Sequence, residues 1–330
     1  MLTKQDIVRR IVPAYSGETA QSEAFAPANI ALCKYWGKRD EELNLPVTSS
    51  LSISLAQLGS KVRLSRSPGD DHISLNGKSL EASTSFYKRA KAFLDLFRPQ
   101  PDFFFRLDAE NTIPTAAGFA SSASGFAALV LALDPFFGWN LSRRELSILA
   151  RLGSGSAARS VYEGFVEWKA GQADDGMDSF AERMEASWPE LRMGLLVLSS
   201  EEKPVGSRAG MKQTVNASML YSAWPRQVER DLTLIRNAIR AHDFVRLGQT
   251  AESNALAMHA TMIATEPPIL YWKPESVAAM HTIWKLRAEG LPLYFTMDAG
   301  PNLKLLFTAG HESDVSKNIP GLQVVAPFGT

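Results

Sequence analysis

Lys34 and Lys38 bracket Tyr35, Trp36 and Gly37 at the end of an otherwise apolar stretch, FAPANIALCKYW at 25–36. One lysine among aromatics usually snorkels its ammonium to solvent, whereas two at this spacing suit an anion pocket. A second concentration of suitable chemistry is PTAAGFASSASGFAALVLAL at 114–133, where very small residues run straight into an apolar helical pattern. Small residues let backbone approach a ligand. The first turn of a helix adds unpaired N–H groups and the positive end of its dipole. With the Ser121, Ser122 and Ser124 hydroxyls this start makes a site for a polyphosphate, although a lone loop of this kind is more often punctuation before a core helix. Gly153-Ser154-Gly155-Ser156, with Arg159 one turn further, repeats the arrangement. By itself it reads as evenly as a plain breaker beside a solvated charge. Asp298 ends an apolar run and begins Asp-Ala-Gly-Pro-Asn. A carboxylate there is commonly an Asx-turn residue, and it also fits a catalytic group held rigidly beside close backbone.

The elements that must position these groups follow from periodicity. Phe126, Leu129, Val130 and Leu133 recur at helical spacing, which predicts a helix starting at Ser121 or Ser122. Phe25–Trp36 reads as a buried strand or a strand and turn, Leu51–Leu58 and Lys61–Ser67 as two antiparallel strands, Ser83–Phe97 as an amphipathic helix and Phe103–Asp108 as a strand. Ser142 and Glu145 form a capping box for a helix ending near Leu152, and Ala157–Trp168 reads as helix again. Beyond Trp188-Pro189 come a strand over Met193–Leu198, a polar loop at 203–211 carrying Ser207 and Arg208, and two long helices, Pro225–His242 and Phe244–Thr261. A last long helix opens at Pro274, followed by strands Leu291–Met297 and Leu303–Phe307 on either side of Asp298. The pattern predicts an α+β chain with antiparallel sheets backed by helices in both halves and a cleft between them. The expected division is an N-terminal extension over 1–24, with a short helix at Lys4–Arg10, then domains over 25–190 and 191–330.

Composition narrows the function classes. The chain has 330 residues, 45% of them apolar, and 35 basic against 35 acidic side chains. No global field attracts nucleic acid, so any anion site is built locally. Five histidines without metal-ligand spacing give no support to a protein-held transition metal. A single cysteine, Cys33, excludes an internal disulfide framework. With no apolar signal core in MLTKQDIVRRIVPAY and no membrane-length apolar run, the reading expects a cytoplasmic protein with no membrane partner.

Four blocks in order, NIALCKYWGK at 29–38, PTAAGFASSASGFAAL at 114–129, GSGSAARSVYEGFVEW at 153–168 and MDAGPN at 297–302, resemble the diphosphomevalonate decarboxylase family of the GHMP kinase superfamily. GSRAGM at 206–211 and MHATMIATEPPILYW at 258–272 extend the likeness. The resemblance implies a two-domain GHMP kinase fold, ribosomal protein S5 domain 2-like in its N-terminal part and ferredoxin-like in its C-terminal part. It implies ATP with Mg²⁺ as cofactors, mevalonate 5-diphosphate as the small-molecule substrate and a homodimer. The implied reaction yields isopentenyl diphosphate, ADP, phosphate and carbon dioxide through a 3-phosphate ester.

By the same resemblance, Asp298 is the residue nearest the 3-hydroxyl, Lys38 its cationic neighbour, and Arg159 the fork that holds the substrate carboxylate. Lys34, Tyr35, Ser154, Ser156, Ser207 and Arg208 are implied substrate contacts. Gly118, Ala120, Ser121, Ser122 and Ser124 are the implied cradle for the ATP phosphates, and Ser74–Lys78 lies where the family places its adenine pocket. Glu163 departs from the family's usual glycine, and residues before Phe25 match nothing in it. The rival readings are a monophosphate decarboxylase or a mevalonate 3-kinase of the same superfamily and, in another class, a non-catalytic metabolite-binding protein.

Overall fold

An 18-residue strand, Ser50–Ser67, organises the first half of the chain. In the computed structural model, which describes residues 2–113, 121–201 and 203–329, this strand is β4. It follows α1 (Lys4–Ile11), β1 (Gln21–Cys33), β2 (Lys38–Asp40) and β3 (Leu45–Pro46). After it come β5 (His72–Leu75), β6 (Lys78–Ser79), α2 (Ser85–Leu94), β7 (Phe104–Asn111), α3 (Ser121–Phe137), α4 (Arg143–Gly153), the single turn α5 (Ala157–Ser160), β8 (Phe165–Trp168) and β9 (Ala181–Arg183). The main sheet has the order β6-β5-β7-β4-β8-β9, with β1 also paired to β4. Helix α3 lies across β1 and β4 and buries Leu129, Val130 and Leu133 against Leu64, Phe105 and Leu149. Its apolar stripe meets a sheet face of alternating apolar side chains, which is why both form.

The second half carries β10 (Leu191–Leu196), α6 (Ser207–Ala217), α7 (Trp224–Ala241), α8 (Phe244–Ile263), α9 (Pro274–Ala288), β11 (Tyr294–Met297), β12 (Leu303–Thr308), α10 (Glu312–Asn318) and β13 (Gln323–Val325). Its sheet runs β11-β12-β10-β13, all antiparallel. Helices α7 and α8 pack on each other and reach β1, so Ile30, Leu32 and Cys33 share a core with Val228, Ile235 and Ala251. The α+β fold of two sheet-and-helix parts is therefore as expected. Among the described residues, no helix is long and apolar enough to cross a membrane.

Several local expectations give way. Leu51–Leu58 and Lys61–Ser67 form one strand, because Gly59 marks a close approach and not a turn: a Cβ there would lie 2.1 Å from the Ala26 carbonyl oxygen on β1. The helix expected over Ala157–Trp168 stops at Ser160. Gly164, at φ 80°, turns the chain and Phe165–Trp168 pairs with Ser50–Ile53 instead. That strand satisfies backbone along β4 and buries Phe165, Val166 and Trp168, which outweighs helical propensity. The polar loop at 203–211 is loop only to Gly206, the N-cap of α6, so Ser207 and Arg208 occupy a first helical turn. The segment before Phe25 is no loose appendage. Ile7, Val8 and Ile11 belong to the first core, and Gln21–Ala24 already pairs with β4.

Candidate active site

One cleft of about 520 Å³ gathers residues from both halves. Its described lining includes six cations, Lys34, Lys38, Arg89, Arg159, Lys203 and Arg208, and one carboxylate, Asp298. Tyr35, Ser122, Ser154, Ser156 and Ser207 also line it. Such a surplus of positive charge in a partly enclosed space is suited to polyanions.

Asp298 sits just beyond β11, at the turn into β12. Lys34 Nζ contacts its Oδ1 at 2.8 Å and Lys304 Nζ its Oδ2 at 3.1 Å. Burial opposes ionisation of this carboxyl, yet Lys304 and Lys34 together hold it well below the usual carboxylate range. The expected cationic neighbour, Lys38, is not in this pair. Its ammonium donates to Asn44 Oδ1 at 2.6 Å, because β2 and β3 form a hairpin that faces Lys38 toward Asn44. Asn44 is fixed in turn by donating to the carbonyls of Arg151 and Leu152 at 2.9 and 3.0 Å. Burial first, and then the charge of Arg208, pull Lys38 down to about 8.

Residues that sequence reasoning missed complete this corner. Lys304 stands in the apolar strand Leu-Lys-Leu-Leu-Phe and is 2% exposed. An ion-sized charge there, six residues after Asp298, was the available signal. His259 Nε2 lies 3.1 Å from the Asp298 carbonyl oxygen. Since a carbonyl only accepts, Nε2 carries the proton, and burial drives His259 down to about 3, leaving it neutral. Lys203 Nζ donates to Ser207 Oγ at 2.8 Å and to the Ala299 carbonyl at 3.0 Å. The 34–38 segment is clamped by the second half. Asn254 Oδ1 accepts from the Lys34 N–H at 2.8 Å, and Tyr221 Oη and Trp224 Nε1 both donate to the Trp36 carbonyl at 3.0 Å. Gly37, at φ 113°, has no room for a Cβ beneath Tyr221.

Arg159 is 3% exposed, and its donors meet neutral groups: Nε and Nη2 reach Asn29 Oδ1 at 3.2 Å each, and Nη1 reaches Ser50 Oγ at 2.5 Å. Asn29 is itself oriented by donating to Ser160 Oγ at 2.7 Å. Burial lowers Arg159 to about 10, with the charge of Asp298 acting against the fall, so the guanidinium stays cationic at neutral pH. It is thus a positioned charge aimed into the cleft. Ser154 and Ser156 flank Gly155, where a Cβ would come within 2.8 Å of Tyr35 Oη.

The cleft adjoins a smaller, apolar pocket of about 90 Å³ lined by Val62, Phe86, Leu107 and Leu129, with Ser60 and Asn111 as polar groups. Arg89 and Ser122 line both spaces. Ser122 therefore sits at the joint, near the start of α3. Ser124 does not: two positions along a helix turns its side chain about 200° away, and its hydroxyl is buried 2.7 Å from Ser60 Oγ. Gly118, Ala120 and the Ser121 side chain lie outside the described residues. Ser74, in the SLNGK segment, bonds Asp108 and lies outside the lining of this pocket.

A cation-lined cleft between two sheet-and-helix parts, with Ser122 of α3 and Ser207 of α6 at its wall, is the arrangement of the GHMP kinase class. Residues 26–181 match the family model for the diphosphomevalonate decarboxylase-like N-terminal domain, and residues 193–324 that for the mevalonate 5-diphosphate decarboxylase C-terminal domain. The chain is 42% identical over 300 residues to diphosphomevalonate decarboxylase of Danio rerio, covering 84% of this chain and 73% of that one. It superposes on mevalonate diphosphate decarboxylase from Staphylococcus aureus with a TM-score of 0.88 at 36% identity, covering 94% of this chain and 96% of that one. A structure described as MDDEF in complex with MVAPP, AMPPCP and magnesium gives a TM-score of 0.85 at 41% identity, with 94% and 98% covered. The chain belongs to the diphosphomevalonate decarboxylase family.

Proposed function

We propose that this chain converts mevalonate 5-diphosphate and ATP to isopentenyl diphosphate, ADP, phosphate and carbon dioxide, by way of phosphorylation at the 3-hydroxyl. The observation that carries the reading is the continuity of the two pockets. An apolar space suited to a nucleoside base joins, through Ser122 and Arg89, a cationic cleft whose only described lining carboxylate is Asp298. The ATP phosphates pass the start of α3 at this joint, and the substrate diphosphate is held from the side of Tyr35, Lys38, Ser207 and Arg208.

Asp298 accepts a hydrogen bond from the 3-hydroxyl and orients it toward the γ-phosphoryl group. Because its two lysines make it a weak base, it takes the proton late, as the bond to ADP has largely broken, which suits a loose phosphoryl-transfer transition state. Lys34, the lysine that lines the cleft, neutralises the transferring group. The new phosphate ester then departs with the C3–O electron pair, while the bond to the carboxylate carbon supplies the electrons of the double bond. Arg159 holds that carboxylate in the required orientation, with Ser154 and Ser156 beside it. Magnesium would enter with the nucleotide and be held mainly by its phosphates. When bound, the ion supplies charge neutralisation of the phosphates. We also place the domain boundary near residue 190, between β9 and β10, and the protein in the cytoplasm.

The test is ADP release from Mg-ATP with mevalonate diphosphate, trapping carbon dioxide from carboxyl-labelled substrate in the same reaction. Equal amounts are expected. ADP without carbon dioxide would make the chain a 3-kinase, and release only from the monophosphate would move the substrate assignment.

A further inference from the structure

The two oxygens of Asp298 are held by lysines in different situations. Lys34, at Oδ1, lines the cleft; Lys304, at Oδ2, does not. Lys304 lies in β12 between β11 and β10, opposite Thr296 and Leu195. A buried ammonium in a central strand is unfavourable unless paired, and its ion-pair partner among the described residues is Asp298. Lys304 also reaches the Asn302 carbonyl at 3.4 Å, within the turn that presents Asp298.

We propose that Lys304 is a positioning residue for phosphoryl transfer, holding Asp298 charged and aimed while Lys34 shifts from Oδ1 to the transferring phosphoryl group. The inference rests on the function proposed above. With Lys34 alone, that shift would strand a carboxylate without a contact counter-charge at the moment it must receive the hydroxyl proton. Lys304 removes this conflict because it stays behind the carboxylate. Among the described residues, the other charged or titratable groups facing Asp298 are Lys34 just after β1, Arg159 from α5, Lys203 from the loop before α6 and His259 from α8. The first three are cationic, and His259 is neutral and bonded to the Asp298 backbone. Removal of Lys304 therefore leaves a less positive surrounding and a more basic carboxylate.

The experiment compares Lys304→Met and Lys304→Arg with the wild type in kcat, in KM and in the titration of the ¹³C-labelled Asp298 carboxyl. For Lys304→Met we expect KM for both substrates to stay within about twofold, kcat to fall at least about tenfold, and the carboxyl to titrate at higher pH than in the wild type. Lys304→Arg keeps the charge and should leave the titration in place. A fall in kcat with an unmoved titration, or a loss expressed only in KM, would overturn the proposal. If Lys304→Met does not fold, the wild type decides: a carboxyl titrating in the ordinary carboxylate range refutes the role of Lys304, and one titrating below it supports that role. A wild type that releases no carbon dioxide would defeat the functional reading separately, and the titration would still read the pairing.

Discussion

Replacing Arg159 with lysine keeps a charge in the cleft and removes its fork. The consequence can be worked from the geometry. Arg159 is almost fully buried, is oriented by Asn29 and Ser50, and meets no carboxylate among the described residues. On the proposed function, its desolvation is offset by the carboxylate of the substrate. Breaking a buried pair outright costs about 3–5 kcal/mol; lysine retains the Coulomb part but loses the bidentate geometry and the bonds to Asn29, leaving a loss of about 2–3 kcal/mol. At 1.36 kcal/mol per decade this is a fall in kcat/KM of about 30–150-fold. The assay is joint release of ADP and labelled carbon dioxide, repeated with a substrate whose carboxylate is replaced by an amide. The wild type should lose far more than Arg159→Lys on that exchange, since the fork is already absent in the variant. Activity within about threefold of wild type, or equal losses on the amide, would refute the pairing of Arg159 with the substrate carboxylate.

Asp298→Ala should abolish turnover while ATP still binds by calorimetry, and should lower stability by about 3–5 kcal/mol because two buried lysines lose their shared partner; residual turnover above a few per cent removes Asp298 from the chemistry. Lys38 has a folded pKa of about 8, below its ordinary 10.5. Its charge is thus disfavoured in the folded protein, so stability without ligand should rise as pH climbs from about 8 to about 10.5, while affinity for the substrate diphosphate falls over the same window. Lys38→Met should flatten both dependences, measured by thermal melts and by KM against pH, and a persistent slope would assign them elsewhere. Ser122→Phe should weaken ATP binding at least about tenfold, and an unchanged ATP titration would move the nucleotide phosphates away from the start of α3.

Much of this fold was legible. The helical spacing of Phe126, Leu129, Val130 and Leu133, the Ser142–Glu145 capping box and the α7–α8 pair all act locally, and each formed where its pattern placed it. Errors arose where a distant segment decides. Phe165–Trp168 became strand because β4 had backbone groups to pair, and Leu51–Leu58 and Lys61–Ser67, expected as two strands, run on as one through Gly59, where β1 passes too close for a side chain. The candidate site divides in the same way. Asp298, Arg159 and Lys38 were visible as charges beside tight turns, but which lysine touches Asp298 depends on a hairpin register and on β12, 264 and 6 positions away for Lys34 and Lys304 respectively. His259, Asn254 and Tyr221 act through backbone carbonyls and amides, contacts that leave no mark on sequence spacing.

Strand β4 also works as a gauge. Ser50 at one end steadies Arg159, and Ser60 and Val62 line the apolar pocket further along. Between Ser50 and Ser60 lies roughly 30 Å of strand at about 3.3 Å per residue, with Ala56 at φ 47° marking an irregularity within it. On the proposed function, the reach from nucleoside to substrate carboxylate is set by the length of this single continuous element. One residue inserted at that irregularity would touch neither end, yet it would turn the following side chains to the opposite face. Two intact half-sites would then be held out of register, each able to bind and neither able to deliver its group to the other.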